Sequence, residues 1–310
     1  MFNVTKAKKA GVLLRFVAVF IATVIFQIAV NSKAFAGEKT ATNTQFTVAV
    51  SGAGRAIILI PGLMSDSRIW DELASFLSTH YELHKISVAG FAATPAVAKP
   101  SVTELKTQLL AYIHQRKLHK PIIIGHSLGG FMGLWLASSV PKEIGPVISV
   151  DGLPFIGPIF TRSNDTTVQS LAAQAQQIKQ MYSNMSQQQL IEQSRYSLPV
   201  QASTDAAKAK VMAMIETSDP TTAGHAIHSL MSHDLRQDIA KITSPVLLLG
   251  ASGGFDSDSQ QTMVETLYKQ QLSHLPHAQL AMNTKARHFI MFDDPLWLNH
   301  QVIQFLGAQL

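Results

Sequence analysis

Four short segments constrain the fold of this chain more than anything else in it: "AIILI" (56–60), "PIIIG" (121–125), "GPVISVDG" (145–152) and "SPVLLLG" (244–250). Each is built on isoleucine, valine or leucine, with Ser149 the one polar residue inside a run, and stops at a glycine, at Asp-Gly or at Pro-Gly. An extended segment sends successive side chains to opposite faces, so an unbroken apolar run needs cover on both. Segments with helical spacing separate the first three: "IWDELASFL" (69–77), "SVTELKTQLLAYIHQRKL" (101–118) and "GGFMGLWLASSV" (129–140). A further strand, "YELHKISV" (81–88), falls between the first two of these. Strand–helix alternation with apolar strands predicts an α/β fold, a mostly parallel central sheet with helices on both faces. "QFTVAV" (45–50) alternates instead and reads as an edge strand or the first strand of a hairpin. Ser101 with Glu104 three residues on predicts a capping box at the start of the second helix.

The alternation then breaks. Residues 153–240 hold no convincing strand and are rich in Gln, Ala, Met and Ser, in stretches suited to helices. It resumes with "SPVLLLG", a helix "TMVETLYKQQL" (262–272), a strand "AQLAMN" (278–283) and a last helix from Pro295. A helical insertion of roughly 85 residues between two strands of one sheet is expected to be a cap or lid, since long connections without a function are uncommon. The expected organisation is a core in two parts, 37–152 and 241–310, with the cap at 153–240 between them.

Residues 1–36 read as a secretory signal peptide. Lys6, Lys8 and Lys9 precede an apolar stretch from Phe16 to Val30, and Ala34 and Ala36 form an A-x-A site before Gly37. Cleavage after Ala36 and a periplasmic or secreted location follow as expectations. The alternative is a retained anchor, but the apolar run of about 15 residues is short of the roughly 20 that span a bilayer. The chain has 25 Lys and Arg against 20 Asp and Glu, and the five basic residues before Glu38 account for the whole excess. The body is near neutral, with no basic stripe interleaved with aromatics, which argues against nucleic-acid binding. With no cysteine, disulfides, thiolate nucleophiles and cysteine metal sites are excluded.

The chemistry is read at Gly125-His126-Ser127-Leu128-Gly129, a G-x-S-x-G pattern where a buried strand turns into a helix. Small neighbours let strand and helix approach and force the serine Oγ outward; the competing reading is a serine that merely caps the helix. A hydroxyl needs a base. His288, in "TKARHFIMFDDP" after the last predicted strand, reaches the same sheet edge, whereas His126 is read as structural, with its side chain directed away along the turn. His225 and His228 form an H-x-x-H pair without acidic companions and, with His233, read as solvent-facing rather than metal-binding. The acid is less determined: Asp256 in "ASGGFDSDS" is placed first, Asp151 at the end of "VISVD" is its rival, Asp258 comes third, and Asp234 is read as a cap or surface ion pair. The amides of Leu128 and, after Gly62, of Leu63 are expected to form the oxyanion hole. "LPFIGPIF" (153–160) is a candidate apolar acyl pocket, or simply core.

These residues resemble the α/β-hydrolase superfamily. "LIPGLMSDSRIWDEL" is similar to its oxyanion loop and first helix, "VAGFAATP" to the loop after the next strand, "GHSLGG" to its nucleophile elbow, and "DLRQDIAKITSPVLLLG" and "ARHFIMFDDPLW" to its later strand and histidine loop. The order Ser127, Asp256, His288 is the family's order. Relatives commonly carry the acid about three residues after the glycine equivalent to Gly250; here Gly253 stands there, which keeps Asp151 open. The resemblance implies an eight-stranded, mostly parallel sheet and no cofactor. The expected activity is a serine esterase acting on a small or medium apolar ester, without metal, nucleic acid or, once the leader is removed, a membrane span. Alternatives are another acyl or C–C bond hydrolase, an acyltransferase, or an inactive ligand-binding protein of this fold. A neutral histidine base implies a rate that falls as pH drops through roughly 6.5.

Overall fold

The computed structural model describes residues 44–307; the proposed leader and cleavage site lie outside them. Seven strands form one sheet: β1 (Phe46–Gly52), β2 (Arg55–Ile60), β3 (Tyr81–Val88), β4 (Ile122–His126), β5 (Val147–Val150), β6 (Val246–Ala251) and β7 (Gln279–Asn283), in the order β1-β3-β2-β4-β5-β6-β7. All pairs are parallel except β1 with β3. The strand count is one below the eight that the family resemblance implies, because β1 itself forms the antiparallel edge and nothing described pairs beyond it. β1 is thus an edge strand, and its partner is β3 rather than the adjacent β2.

Every residue of β4 and β5 is buried. Since alternate side chains face opposite ways, both faces are covered, as the apolar runs require. Each isoleucine buried there contributes roughly 1.5–3 kcal/mol. The helices of the first half are α1 (Asp71–Leu77), preceded by a 3-10 turn over Ser67–Trp70, α2 (Val102–Gln115) and α3 (Leu128–Ser139). Ser101 caps α2 by accepting from the Glu104 amide at 3.2 Å, but the Glu104 carboxylate accepts from Gln108 instead of closing the box.

Between β5 and β6 lie five α-helices, a 3-10 turn over Asp238–Lys241 and no described strand: α4 (Gly157–Thr161), α5 (Val168–Ser183), α6 (Gln187–Gln201), α7 (Asp205–Ile215) and α8 (Pro220–Ser232). α5 packs on α8 and α6 on α7. The chain closes with α9 (Asp258–Gln271), α10 (Ile290–Asp293) and α11 (Pro295–Gly307), α11 packing on α1. The insertion rests on loops at the carboxyl ends of the strands. The Asp219 amide donates to Gly90 O at 2.7 Å after β3, and the Phe289 amide donates to Gln201 O at 2.9 Å after β7. No described helix is long and apolar enough to cross a membrane.

Candidate active site

Ser127 sits where β4 becomes α3, at φ 52 and ψ −113. This lies outside the ordinary regions for a residue with a side chain and costs about 1–3 kcal/mol. Although Ser127 occupies the N-cap position, its side chain makes no capping bond, so the reading of a mere cap is set aside. The glycines around it permit the close approach. A Cβ on Gly125 would run into the Gly129 carbonyl, and one on Gly129 into the Ile60 carbonyl. The loop after β2 presses on the same turn: a Cβ on Gly62 would lie 2.6 Å from His126 Nδ1 and 3.1 Å from Ser127 Cβ. That loop carries Leu63, whose amide makes no backbone hydrogen bond among the described residues. Leu128 opens α3, so its amide is one of the four without an intrahelical partner. The two amides expected for the oxyanion hole thus lie one in the loop that presses on the serine turn and one at the first residue of α3.

The Ser127 amide extends the β4–β5 ladder by donating to Val150 O at 2.9 Å, which puts Asp151 at the neighbouring strand end. Asp151 also has a positive φ of 51. Its Oδ2 lies 2.6 Å from His288 Nδ1. Its Oδ1 accepts from the Ala251 amide at 2.9 Å and the Tyr268 hydroxyl at 2.7 Å. The Asp151 side chain is 8% exposed and that of His288 26%, so the carboxylate is shielded while the imidazole stays partly open to solvent. With Nδ1 committed to the carboxylate, Nε2 is the nitrogen left to act as base. No hydrogen bond joins it to Ser127 Oγ among the described residues; such pairs often tighten only when substrate arrives.

The acid expected first, Asp256, is corrected here. It is exposed, in the loop between β6 and α9, and His288 pairs with Asp151. The loop at Gly253 cannot supply an acid either: its amide donates to Ala286 O at 2.9 Å, and a Cβ there would strike the Lys285 carbonyl. Asp258 is exposed in the first turn of α9. Asp234 pairs with Arg236, Nη2 to Oδ2 at 2.6 Å, and accepts its amide at 3.0 Å. Leu153 and Phe155 are buried in the core, with the Arg236 guanidinium 4.8 Å above the Phe155 ring. The first half of "LPFIGPIF" is therefore packing rather than pocket. Among the described residues no group of three or more metal-ligating side chains forms. His225 and His228 are half-buried, not solvent-facing.

His126 makes a structural contact, but not in the direction expected. Its ring lies 4.6 Å from that of His288, and its Nε2 is 3.0 Å from the His288 carbonyl, so it donates there and Nδ1 stays bare. Burial, and then the charge of His288, push its pKa well below the ordinary imidazole value of 6.5. The unfolded chain therefore binds a proton that the folded chain refuses. The stability this group contributes is full above about pH 6.5 and is lost as pH falls below it, by about 1.4 kcal/mol per pH unit. Unfolding free energy measured in urea between pH 7 and 5 should fall with pH, and His126→Gln should flatten that slope by about one proton's worth. An unchanged slope in the variant would contradict this.

Sequence reasoning missed Tyr268 and the Ala251 amide. Tyr268 sits at an ordinary core spacing within α9, and nothing in the sequence distinguishes it from a packing aromatic. For Asp151 a signal existed: a carboxylate immediately after a buried strand, followed by glycine.

Comparison with known proteins agrees with the fold. A family model described as alpha/beta hydrolase fold matches residues 55–295. A pimeloyl-[acyl-carrier protein] methyl ester esterase of Nitrosomonas europaea is 24% identical over 256 residues, 80% of this chain and 94% of that protein. The crystal structure of the enol-lactonase from Burkholderia xenovorans superposes with a TM-score of 0.67 at 17% identity, covering 87% of this chain and 99% of the other. A thermophilic esterase from Thermogutta terrifontis does so with 0.68 at 16% identity, covering 85% and 93%. With a family model that spans strands β2 to β7 and includes the serine turn, this chain belongs to the α/β-hydrolase family.

Proposed function

We propose that the protein is a carboxylic-ester hydrolase that works through an acyl-enzyme on Ser127. The observation that carries this reading is the Asp151–His288 pair at 2.6 Å, on the sheet edge where an uncapped serine is held at positive φ. Ser127 Oγ attacks the ester carbonyl while His288 Nε2 takes its proton, and Asp151 stabilises the imidazolium. The Leu63 and Leu128 amides hold the oxyanion. Collapse of the tetrahedral species expels the alcohol, which receives the proton from His288. Water then attacks the acyl-enzyme with His288 again as base, and the acid leaves. The esterase names among relatives support an ester substrate; that it is of small or medium size is part of this proposal. The helical insertion, bonded to loops at the carboxyl edge of the sheet, is the proposed cap over that substrate. The basic, apolar leader ending in A-x-A supports a periplasmic or secreted location.

Stopped-flow hydrolysis of p-nitrophenyl esters from acetate to octanoate tests the reading. A burst of nitrophenol equal to the enzyme concentration is expected before steady turnover. Absence of turnover above the buffer rate across the series would overturn it.

A further inference from the structure

The Asp151 carboxylate uses its two oxygens differently. Oδ2 faces His288 Nδ1, and Oδ1 takes two donors from the other side, the Ala251 amide and the Tyr268 hydroxyl. Tyr268 is 5% exposed and comes from α9. Its ring passes over Gly250, where an added Cβ would stand 2.8 Å from Tyr268 Cδ1. A side chain at position 250 would crowd the Met282 sulfur, 2.4 Å from such a Cβ, as well as the Tyr268 ring.

We infer that Tyr268 is a positioning residue for the reaction proposed above: its hydroxyl fixes the Asp151 carboxylate with Oδ2 turned to His288 and, by sharing the negative charge, sets how strongly the acid favours the imidazolium. This rests on the hydrolase reading of the site. Burial, then the charge of Asp151 and the hydrogen bond to it, raise the Tyr268 hydroxyl well above its ordinary value of 10, so it remains an O–H donor throughout the working range. The other titratable groups on the pair are few. His126 lies ring to ring with His288, and His288 is the one basic side chain within ion-pair distance of Asp151 among the described residues.

Tyr268→Phe keeps the ring and removes the donor. The carboxylate's charge then concentrates on its contact with His288, the imidazolium gains stability, and the base is protonated at higher pH. The acid limb of kcat/KM for a nitrophenyl ester should move up by about half a pH unit or more, and kcat on the plateau should fall several-fold. Site-specific 3-fluorotyrosine at 268, a near-isosteric stronger donor, should move the limb the other way. In an Asp151→Asn background, Tyr268→Phe should add no further shift. An acid limb that stays in place in both the phenylalanine and fluorotyrosine proteins, with wild type active, would make Tyr268 a packing residue and overturn this inference alone. A wild type without ester turnover would instead overturn the hydrolase reading and this inference with it.

Discussion

Ser127→Ala is expected to abolish turnover of a nitrophenyl ester, with kcat down by about 10⁶-fold, the scale on which nucleophile loss falls in serine hydrolases. The size follows from chemistry rather than packing. The other groups can still bind and polarise an ester, but no acyl-enzyme can form. The substitution should cost the fold little, because the Ser127 side chain caps nothing; what holds the turn is backbone contact through Gly125 and Gly129. A melting temperature near that of wild type, with activity at the buffer rate, is the expected pair of results. Measurable burst kinetics in this variant would place the nucleophile elsewhere.

Asp151→Asn should lower kcat by about 10⁴-fold, as loss of the acid does in serine proteases, where the amide favours the wrong imidazole tautomer. Asp256→Asn should leave kcat within about twofold, since surface substitutions away from a site do little. The contrast is the sharper result. Both residues follow strands at the reactive edge, but Asp151 holds His288 at 2.6 Å and Asp256 stands exposed. Equal losses in the two variants, or a larger loss at Asp256, would mean that the His288 loop leans the other way during turnover.

These two expectations also mark where sequence reading succeeds and where it stops. The central strands are legible because cover on both faces makes them almost wholly apolar: Ile122 to Ile124 and Val147 to Val150, with Ser149 the one polar residue among them, are recognisable without any tertiary knowledge. Ser127 is legible because its strained turn demands glycines at fixed positions. His288 is legible because parallel topology returns every strand-to-helix loop to one edge. The acid is not, because that same topology delivers the loops after β5 and after β6 to the same edge. Which one meets the imidazole depends on the lean of the histidine loop, and it is fixed by contacts such as the Gly253 amide with Ala286 O. Tyr268 is less legible still, since a phenol that positions a carboxylate has the same helical spacing as one that only fills space. The partner of β1 was hidden for a related reason: its alternating pattern suits pairing with β2 or β3 equally.

The most direct measurement of the central claim is mass-spectrometric mapping of the adduct formed with a fluorophosphonate probe at neutral pH. A single phosphonylated residue at Ser127 is expected, forming quickly in wild type and far more slowly once Asp151 or His288 is replaced. An adduct on another serine, or an enzyme that hydrolyses esters while Ser127 stays unmodified, would contradict the assignment.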